Sequence, residues 1–292
     1  MRLILFLIWT SLSAASFSTK KGDLAPLAPS QSFSLFSLNT LFLPFPVSYF
    51  TDGMPPWPDR IDGVIAKIQE VDPDIICLQE VYSNLAARYL IKKLRSSYAV
   101  FFYDVNPKWI GLNSGLFVAS KYPVENPTYR PFKSAQRGIA HGAFFFDTPF
   151  ASFVNTHLEA LPSRNGALQN TQLSQLVQWM KTATFVAGDL NIAWGTPSYN
   201  LSILKTDFYD PYNENRAFCS PHDATCSELF NKWSKPKGPG YVIYDYIVFY
   251  GNHPPSMQTT LVPFFDFQGK ISPLSDHQGL LTHAILNQTQ QQ

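Results

Sequence analysis

Charge is scarce in this sequence and almost evenly balanced. Lysine and arginine number 22 against 21 aspartate and glutamate, charged residues are 15% of the 292, and the formal net charge is +1. Such a chain lacks the clustered cations that binding to a phosphate backbone requires, so no stable nucleic-acid partner is expected. Lys92, Lys93 and Arg95 stand close together, but on a helix they read as a solvated face. Long apolar runs are missing too: the run from Leu3 to Trp9 is too short to span a bilayer as a helix. Neither a second apolar span nor an internal repeat follows. Cysteine is rare, three in all; Cys77, inside the apolar "DIICLQE", reads as a small buried hydrophobe.

What is present begins with "MRLILFLIWTSLSAAS": one basic residue, Arg2, an apolar core, then small residues through Ala15. This is the form of a secretory signal peptide, residues 1–15, and predicts a secreted protein, extracellular or periplasmic. Loss of Arg2 takes the formal charge from +1 to +1 − 1 = 0. The Pro-punctuated stretch from Ser16 to Ser30 reads as a linker. In an exported chain Cys219 and Cys226, flanking "SPHDAT", are expected to form a disulfide, the alternative being two unpaired loop thiols. With 45% hydrophobic residues the rest is a globular chain able to bury a large core.

Alternating elements follow. "FSLFSLN" (33–39) is a strand, and Ile61, Val64, Ile65, Ile68 and Val71 recur at helical spacing just after Pro58. "DIICLQE" (74–80) is a strand apolar on both faces. A helix after Ser83 is expected to turn Leu85, Tyr89 and Leu90 inward. Then come "YAVFFYD", "SGLFVAS", "GAFFFD" and "ASFVNTH", short strands separated by turns. A helix around Thr171–Met180 precedes "TFVAGD", and the last third holds "YVIYDYIVFY", "MQTTLVPF" and "HQGLLTHAIL". Two β-rich halves with helices predict a sheet-on-sheet core covered by helices outside.

Polar residues collect where these strands end: Asn39, Glu80, His157, Asp189 with Asn191, Asp245, and Asp276 with His277. Singly, each has a plain structural alternative. Asn39 caps a turn, Glu80 opens a loop, Asp245 sits on an exposed edge, His157 is a satisfied core histidine, Asp276 forms a turn. Jointly they supply hard oxygen ligands for Mg²⁺, two imidazoles, and carboxylates that orient them. His141, His222, His253 and His283 need only surface or loop roles.

"SLNTLF", "ICLQEV", "SGLFVASKYPV", "VNTHLEA", "VAGDLN", "YDYIV" and "LSDHQGL", in that order from about Phe33 to Leu286, resemble the endonuclease/exonuclease/phosphatase superfamily. The resemblance implies a four-layer α-β-β-α sandwich of two mixed sheets (the DNase I-like arrangement), hence one α/β domain over residues 31–288 with a tail at 289–292. Within the superfamily the sequence most resembles neutral and bacterial sphingomyelinases, through "NTHLEA", the helix that follows it, and the long apolar segment "LFLPFPVSYF". Leu41 stands where repair nucleases of the superfamily carry a second metal-site acid, a departure that counts against them.

The chemistry follows from the residue types. A phosphodiester anion repels a nucleophile, so a divalent cation is needed to neutralise its oxygens. Glu80 is the expected Mg²⁺ ligand, with Asn39 beside it and Asp276 near; Mn²⁺ and Co²⁺ are the alternatives. His277 is the expected base toward water, with Asp245 holding its tautomer. Asp189 positions the water or the histidine, and Asn191 donates to a phosphoryl oxygen. His157, by resemblance, contacts the phosphate.

The implied activity is hydrolysis of sphingomyelin to ceramide and phosphocholine, by a monomer working at a phospholipid surface. The resemblance places Phe264 and Phe265 on an aromatic hairpin before "SDH", candidates for membrane insertion along with Trp109; the alternative is that these rings pack under their loops. A secreted nuclease, a phosphoinositide phosphatase and an inactive lipid- or protein-binding module are the competing functions.

Overall fold

The structure, a computed structural model, describes residues 17–49, 54–107, 111–133, 139–160, 166–181, 183–212, 226–227, 241–264 and 273–286. In chain order the elements are β1 (Ser18–Lys21), β2 (Ser32–Asn39), a 3-10 turn (Val47–Tyr49), α1 (Trp57–Val71), β3 (Ile75–Gln79), α2 (Asn84–Leu94), β4 (Val100–Tyr103), β5 (Phe117–Ser120), β6 (Glu125–Pro131), β7 (Gly142–Asp147) and β8 (Ser152–His157). There follow α3 (Ala167–Trp179), β9 (Thr184–Asp189), α4 (Pro197–Asn200), α5 (Ile203–Asp207), β10 (Phe208–Tyr209), β11 (Cys226–Ser227), β12 (Tyr241–Val242), β13 (Asp245–Tyr250), β14 (Ser256–Val262) and β15 (Gly279–Ile285).

Two mixed sheets result, one ordered β1-β4-β5-β3-β2-β15-β14 and the other β10-β13-β9-β8-β7-β6. The stretch read as a linker is partly structured: β1 pairs antiparallel with β4, and Asp23 meets Arg95 at 2.7 Å.

Period-2 alternation builds the layers. On β2, Phe36 and Leu38 face Ile61, Val64 and Ile68 of α1 and Leu90 of α2, while Phe33 and Leu35 face the second sheet. On β3, Ile76 and Leu78 take the helix side and Ile75 and Cys77 the inter-sheet side. Both strands are therefore buried on both faces, which is why β3 reads as an almost continuous apolar run.

Between the sheets Phe153 stacks on Phe146 and Phe185 at centroid distances of 5.3 and 5.4 Å, and Phe33 meets Phe153 and Phe185 edge-on at 5.3 and 5.0 Å. Each such contact adds about 0.5–1.5 kcal/mol to simple burial. Beyond the second sheet Val154, Val186 and Val248 pack on Leu173 and Leu176 of α3 and on Tyr199 and Leu204. Helices, sheet, sheet and helices form the expected four layers.

α1 begins with Pro58 in its first turn and ends at Asp72, a left-handed residue (φ 41°) whose N–H bonds Ile68 O. α2 starts at Ser83, whose Oγ accepts the Ala86 N–H. Its inward stripe is Ala86, Ala87, Leu90, Ile91 and Leu94. Leu85 is 71% exposed, not inward as expected, because it lies one position off that stripe in the first turn.

Strand direction then decides where chemistry gathers. β2 and β3 are parallel and end together at Asn39 and Gln79; β15 runs the other way and starts there, paired through Gly279 with the last residue of β14, Val262. In the second sheet β8 and β9 are parallel and end together at His157 and Asp189, while antiparallel β13 and β7 begin there at Asp245 and Gly142. Both sheets thus present these ends at one rim.

Candidate active site

Leaving a strand for a side chain to reach the rim demands sharp turns. Leu41, Glu80 and Asn191 all adopt positive φ (50°, 57° and 48°), one after each of β2, β3 and β9. Such strain in non-glycine residues clusters where function requires it. Two glycines make room. A Cβ on Gly115 would press on the Glu80 backbone, and one on Gly188 would overlap Thr156 O of the neighbouring strand.

The rim residues meet. His277 Nδ1 lies 2.7 Å from Asp245 Oδ2, with Asp245 fully buried. A ring that donates from Nδ1 presents its Nε2 lone pair, and Nε2 is 3.8 Å from Asp189 Oδ2. Asn39 Nδ2 donates to Glu80 Oε1 at 2.9 Å and to Asp189 Oδ2 at 3.0 Å, tying the first sheet to the second. Its Oδ1 takes the Leu41 N–H at 3.2 Å, so Asn39 grips the carboxylates through its amide hydrogens. His157 Nε2 stands 3.6 Å from Asp189 Oδ2 and 4.0 Å from Glu80 Oε1. Asn191 gives its backbone N–H to Asp189 Oδ1 (2.9 Å) and an amide hydrogen to Leu158 O (3.0 Å).

Burial sets the charges. It raises the Glu80 carboxyl to about 7, with repulsion from Asp276 adding and the Asn39 hydrogen bond opposing. Burial likewise raises Asp189, with Asp245 adding and His277 opposing. His157 is pushed well below its usual value by burial and by His141 and His277, so it is neutral at neutral pH.

This excess of buried negative charge is what a divalent cation would relieve, and oxygen donors are the right type for Mg²⁺. Asp276 is buried, and its Oδ1 has no hydrogen-bond partner among the described residues. The residues therefore fit a metal centred on Glu80, with Asp189 and Asp276 near. Asp189, Asp245 and His277 also bring ligating atoms within 4.8 Å of one another. The short Asp245–His277 hydrogen bond commits that pair to each other, an arrangement suited to a base and its orienting group.

Several supports escaped the sequence reading. Gln79 Nε2 donates to Asn155 Oδ1 at 2.8 Å, and Asn155 Nδ2 donates to Leu78 O and Phe117 O, each at 3.0 Å. This amide pair bolts the sheets together beneath the site. Ser275 Oγ donates to Asn39 O at 2.6 Å and accepts the His277 N–H at 3.1 Å. Arg60, 2% exposed, donates to Thr40 O (3.0 Å), Leu41 O (2.7 Å), Pro55 O (2.7 Å) and Leu274 O. Burial lowers it to about 10, so it stays a cation, fastening the loop after Asn39 to the loop before His277. His141 is 3% exposed and packs on His157, so its expected surface or loop role is corrected.

Phe264 is corrected as well. It is 2% exposed, packs on Phe36 in the helix-side core, and donates its N–H to Gln278 Oε1, so it cannot reach a membrane from there. Trp109, Phe265, Cys219, the residues of the expected signal peptide and His222 lie outside the described residues. Cys226 is in β11, paired with Val242 of β12.

Known proteins resemble the chain in both sequence and fold. Sphingomyelin phosphodiesterase 5 of Danio rerio is 33% identical over 129 residues, covering 36% of this chain and 24% of that protein. The chain thus spans about a quarter of that curated relative's length. Sphingomyelinase C from Streptomyces griseocarneus superposes with TM-score 0.65 at 17% identity, covering 87% of this chain and 99% of that one. A variant of beta toxin from Staphylococcus aureus with bound magnesium ions gives 0.62 at 16% identity, covering 88% and 100%. The model of the Endonuclease/Exonuclease/phosphatase family matches residues 37–277 and so takes in every rim residue described above, from Asn39 to His277: the chain belongs to this family of phosphoester hydrolases.

Proposed function

We propose that the protein is an exported, Mg²⁺-dependent phosphodiesterase that hydrolyses sphingomyelin to ceramide and phosphocholine. The observation that carries the reaction is the 2.7 Å Asp245–His277 contact at the edge of an acid-lined rim. His277 Nε2 takes a proton from water as its oxygen attacks phosphorus, Asp245 holds the ring in the required tautomer, and Asp189 positions the water. The bond from phosphorus to the ceramide oxygen breaks, and that oxygen leaves with a proton returned from the site. Neutral His157 donates to a phosphoryl oxygen. Glu80, with Asp189 and Asp276 near, would hold a Mg²⁺ ion, which would supply positive charge to neutralise the phosphoryl oxygens.

Two observations support the lipid. The curated relatives carry sphingomyelin phosphodiesterase as their name. The segment leaving β2 right after Asn39 also has an exposed tip, with Phe45 at 77% and Val47 at 48%, and residues 40–49 carry no charged side chain. Leu85, at 71%, stands on the same rim five residues after Glu80. Exposed apolar groups without cations suit a zwitterionic bilayer surface more than a polyanion. Among the described residues no helix is long and apolar enough to cross a membrane.

The first test is phosphocholine release from sphingomyelin vesicles by the protein, with Mg²⁺ and with EDTA, beside plasmid DNA and a phosphoinositide. Mg²⁺-dependent release is expected; cleavage of either alternative without it overturns the lipid reading, and silence on all three favours the inactive module. The double substitution Phe45→Ser with Val47→Ser should cut turnover on vesicles about tenfold or more, since each buried apolar side chain contributes about 1.5–3 kcal/mol. Its rate on a soluble phosphodiester should stay near that of the parent, and equal losses on both substrates would sink the surface role.

A further inference from the structure

His277 has Asp245 behind it, but His157 has nothing comparable. Neither of its ring nitrogens has a hydrogen-bond partner among the described residues, although the ring is buried and its Nε2 faces the gap between Glu80 and Asp189. Something else must hold it. His141, the residue just before β7, reaches across from the neighbouring strand: its Nδ1 is 3.2 Å from His157 O, and its ring meets the His157 ring edge-on at 5.2 Å and 83°. On its other side His141 Nε2 lies 3.6 Å from Glu159 Oε1, and both side chains are 2% exposed. Glu159 is itself pinned by α3, its N–H bonded to Gln172 Oε1 at 2.9 Å and its carbonyl to Gln169 Nε2 at 2.6 Å.

Counting protons across this arrangement gives it a charge state. His157 O only accepts, so His141 Nδ1 must carry a hydrogen. In a neutral ring Nε2 would then be an acceptor turned toward a carboxylate oxygen, lone pair against lone pair inside a dry core. A second ring proton removes that clash and gives an imidazolium facing a carboxylate. Among the described residues, the other ionisable groups around this pair are Tyr82, which feels Glu80, Asp189 and Glu159, together with Tyr129, His157 and His277. Of these, His157 and His277 are imidazoles, and Tyr82 and Tyr129 are phenols held in the neutral form by burial.

We propose that His141 and Glu159 form a second, buried imidazolium–carboxylate pair that positions His157, fixing its backbone and ring so that Nε2 meets the phosphate. Both are positioning residues, acting through His157, and the proposal rests on the reading that His157 faces the phosphoryl group. Asp245 behind His277 and Glu159 behind His141 thus serve the two histidines in different ways: one orients a base directly, the other acts through an intermediate ring.

The protonation state is measured without substrate, by long-range ¹H–¹⁵N NMR of the full chain labelled at histidine. Both His141 ring nitrogens should be protonated at pH 7, and Glu159→Gln should return the ring to its neutral form. A neutral His141 in the parent protein overturns the pair whatever the substrate proves to be.

The positioning role is read from kinetics on the phosphodiester the parent cleaves. His141→Phe, which keeps the ring shape, and Glu159→Gln should each lower kcat about tenfold or more with KM within about twofold. Parental kcat, or a loss confined to KM, in a folded Glu159→Gln protein overturns the positioning role, even if His141→Phe fails to fold. A parent inert toward sphingomyelin defeats the substrate reading alone and leaves the NMR result standing.

Discussion

His277→Ala lowers turnover by about 10²–10⁴-fold, the usual range for removing a general base, while the circular dichroism of the folded protein is retained. The expectation rests on the 2.7 Å bond that fixes Nδ1 on Asp245 and leaves Nε2 turned toward Asp189. Asp245→Asn is the sharper form of the test. An amide of nearly the same shape either donates to Nδ1 or accepts more weakly, so the ring no longer holds its proton on the buried side, and Nε2 ceases to be the base. The analogous swap in a serine-protease triad costs about 10⁴-fold. Asp245 is fully buried at the rim end of β13, paired with Asp189 of β9, so the amide substitution is chosen to spare packing. A steady-state assay under saturating Mg²⁺ decides the matter: either variant within tenfold of the parent removes the pair from the chemistry.

Much of this site could be read from the chain because strand ends announce themselves. "SLN", "LQE", "NTH" and "AGD" each close an apolar run with a polar group, and parallel pairing of β2 with β3 and of β8 with β9 necessarily brings such ends together. The helix–sheet–sheet–helix order was legible for the same reason, since period-2 and period-3.6 patterns survive wherever one face or both are buried.

What escaped has physical causes. β1 is "STKK", an edge strand held by backbone bonds alone, so its side chains carry no period. The role of Arg60 carries no signal in the sequence, because its acceptors are main-chain carbonyls that no residue type advertises. Phe264 and Phe45 are alike in sequence, each an aromatic in a Pro-containing loop, yet one is 2% and the other 77% exposed; the direction of the loop decides, and composition does not encode it. His141 looked idle because its partner Glu159 is 18 residues away and meets it only across β7 and β8.

Mg²⁺ should stabilise the protein far more at pH 8 than at pH 5, and the sign comes from the acid cluster. Glu80 is raised from 4.5 to about 7 in the folded protein, so the folded state binds its proton more tightly than the unfolded chain does. The metal-free protein is therefore favoured below the unfolded value near 4.5, loses stability as pH rises between there and about 7, and stays at the lower level above. For this one group the loss is on the order of 3 kcal/mol; its side chain is 18% exposed, so solvent screens it little. Asp189 is raised by burial in the same direction.

A cation at Glu80 replaces the proton as the compensating charge. At pH 5 the two compete and little is gained; at pH 8 the carboxylates are ionised and the whole deficit is available for the metal to relieve. Thermal unfolding with saturating Mg²⁺ or with EDTA should show a Tm gain of about 5 °C at pH 8 and close to none at pH 5. Glu80→Gln separates the causes, because it deletes the titrating group and the ligand together: the metal-free variant should be more stable than the metal-free parent at pH 8, yet respond weakly to Mg²⁺. An equal Mg²⁺ gain at both pH values, or a full response in Glu80→Gln, would place the cation elsewhere than on this cluster.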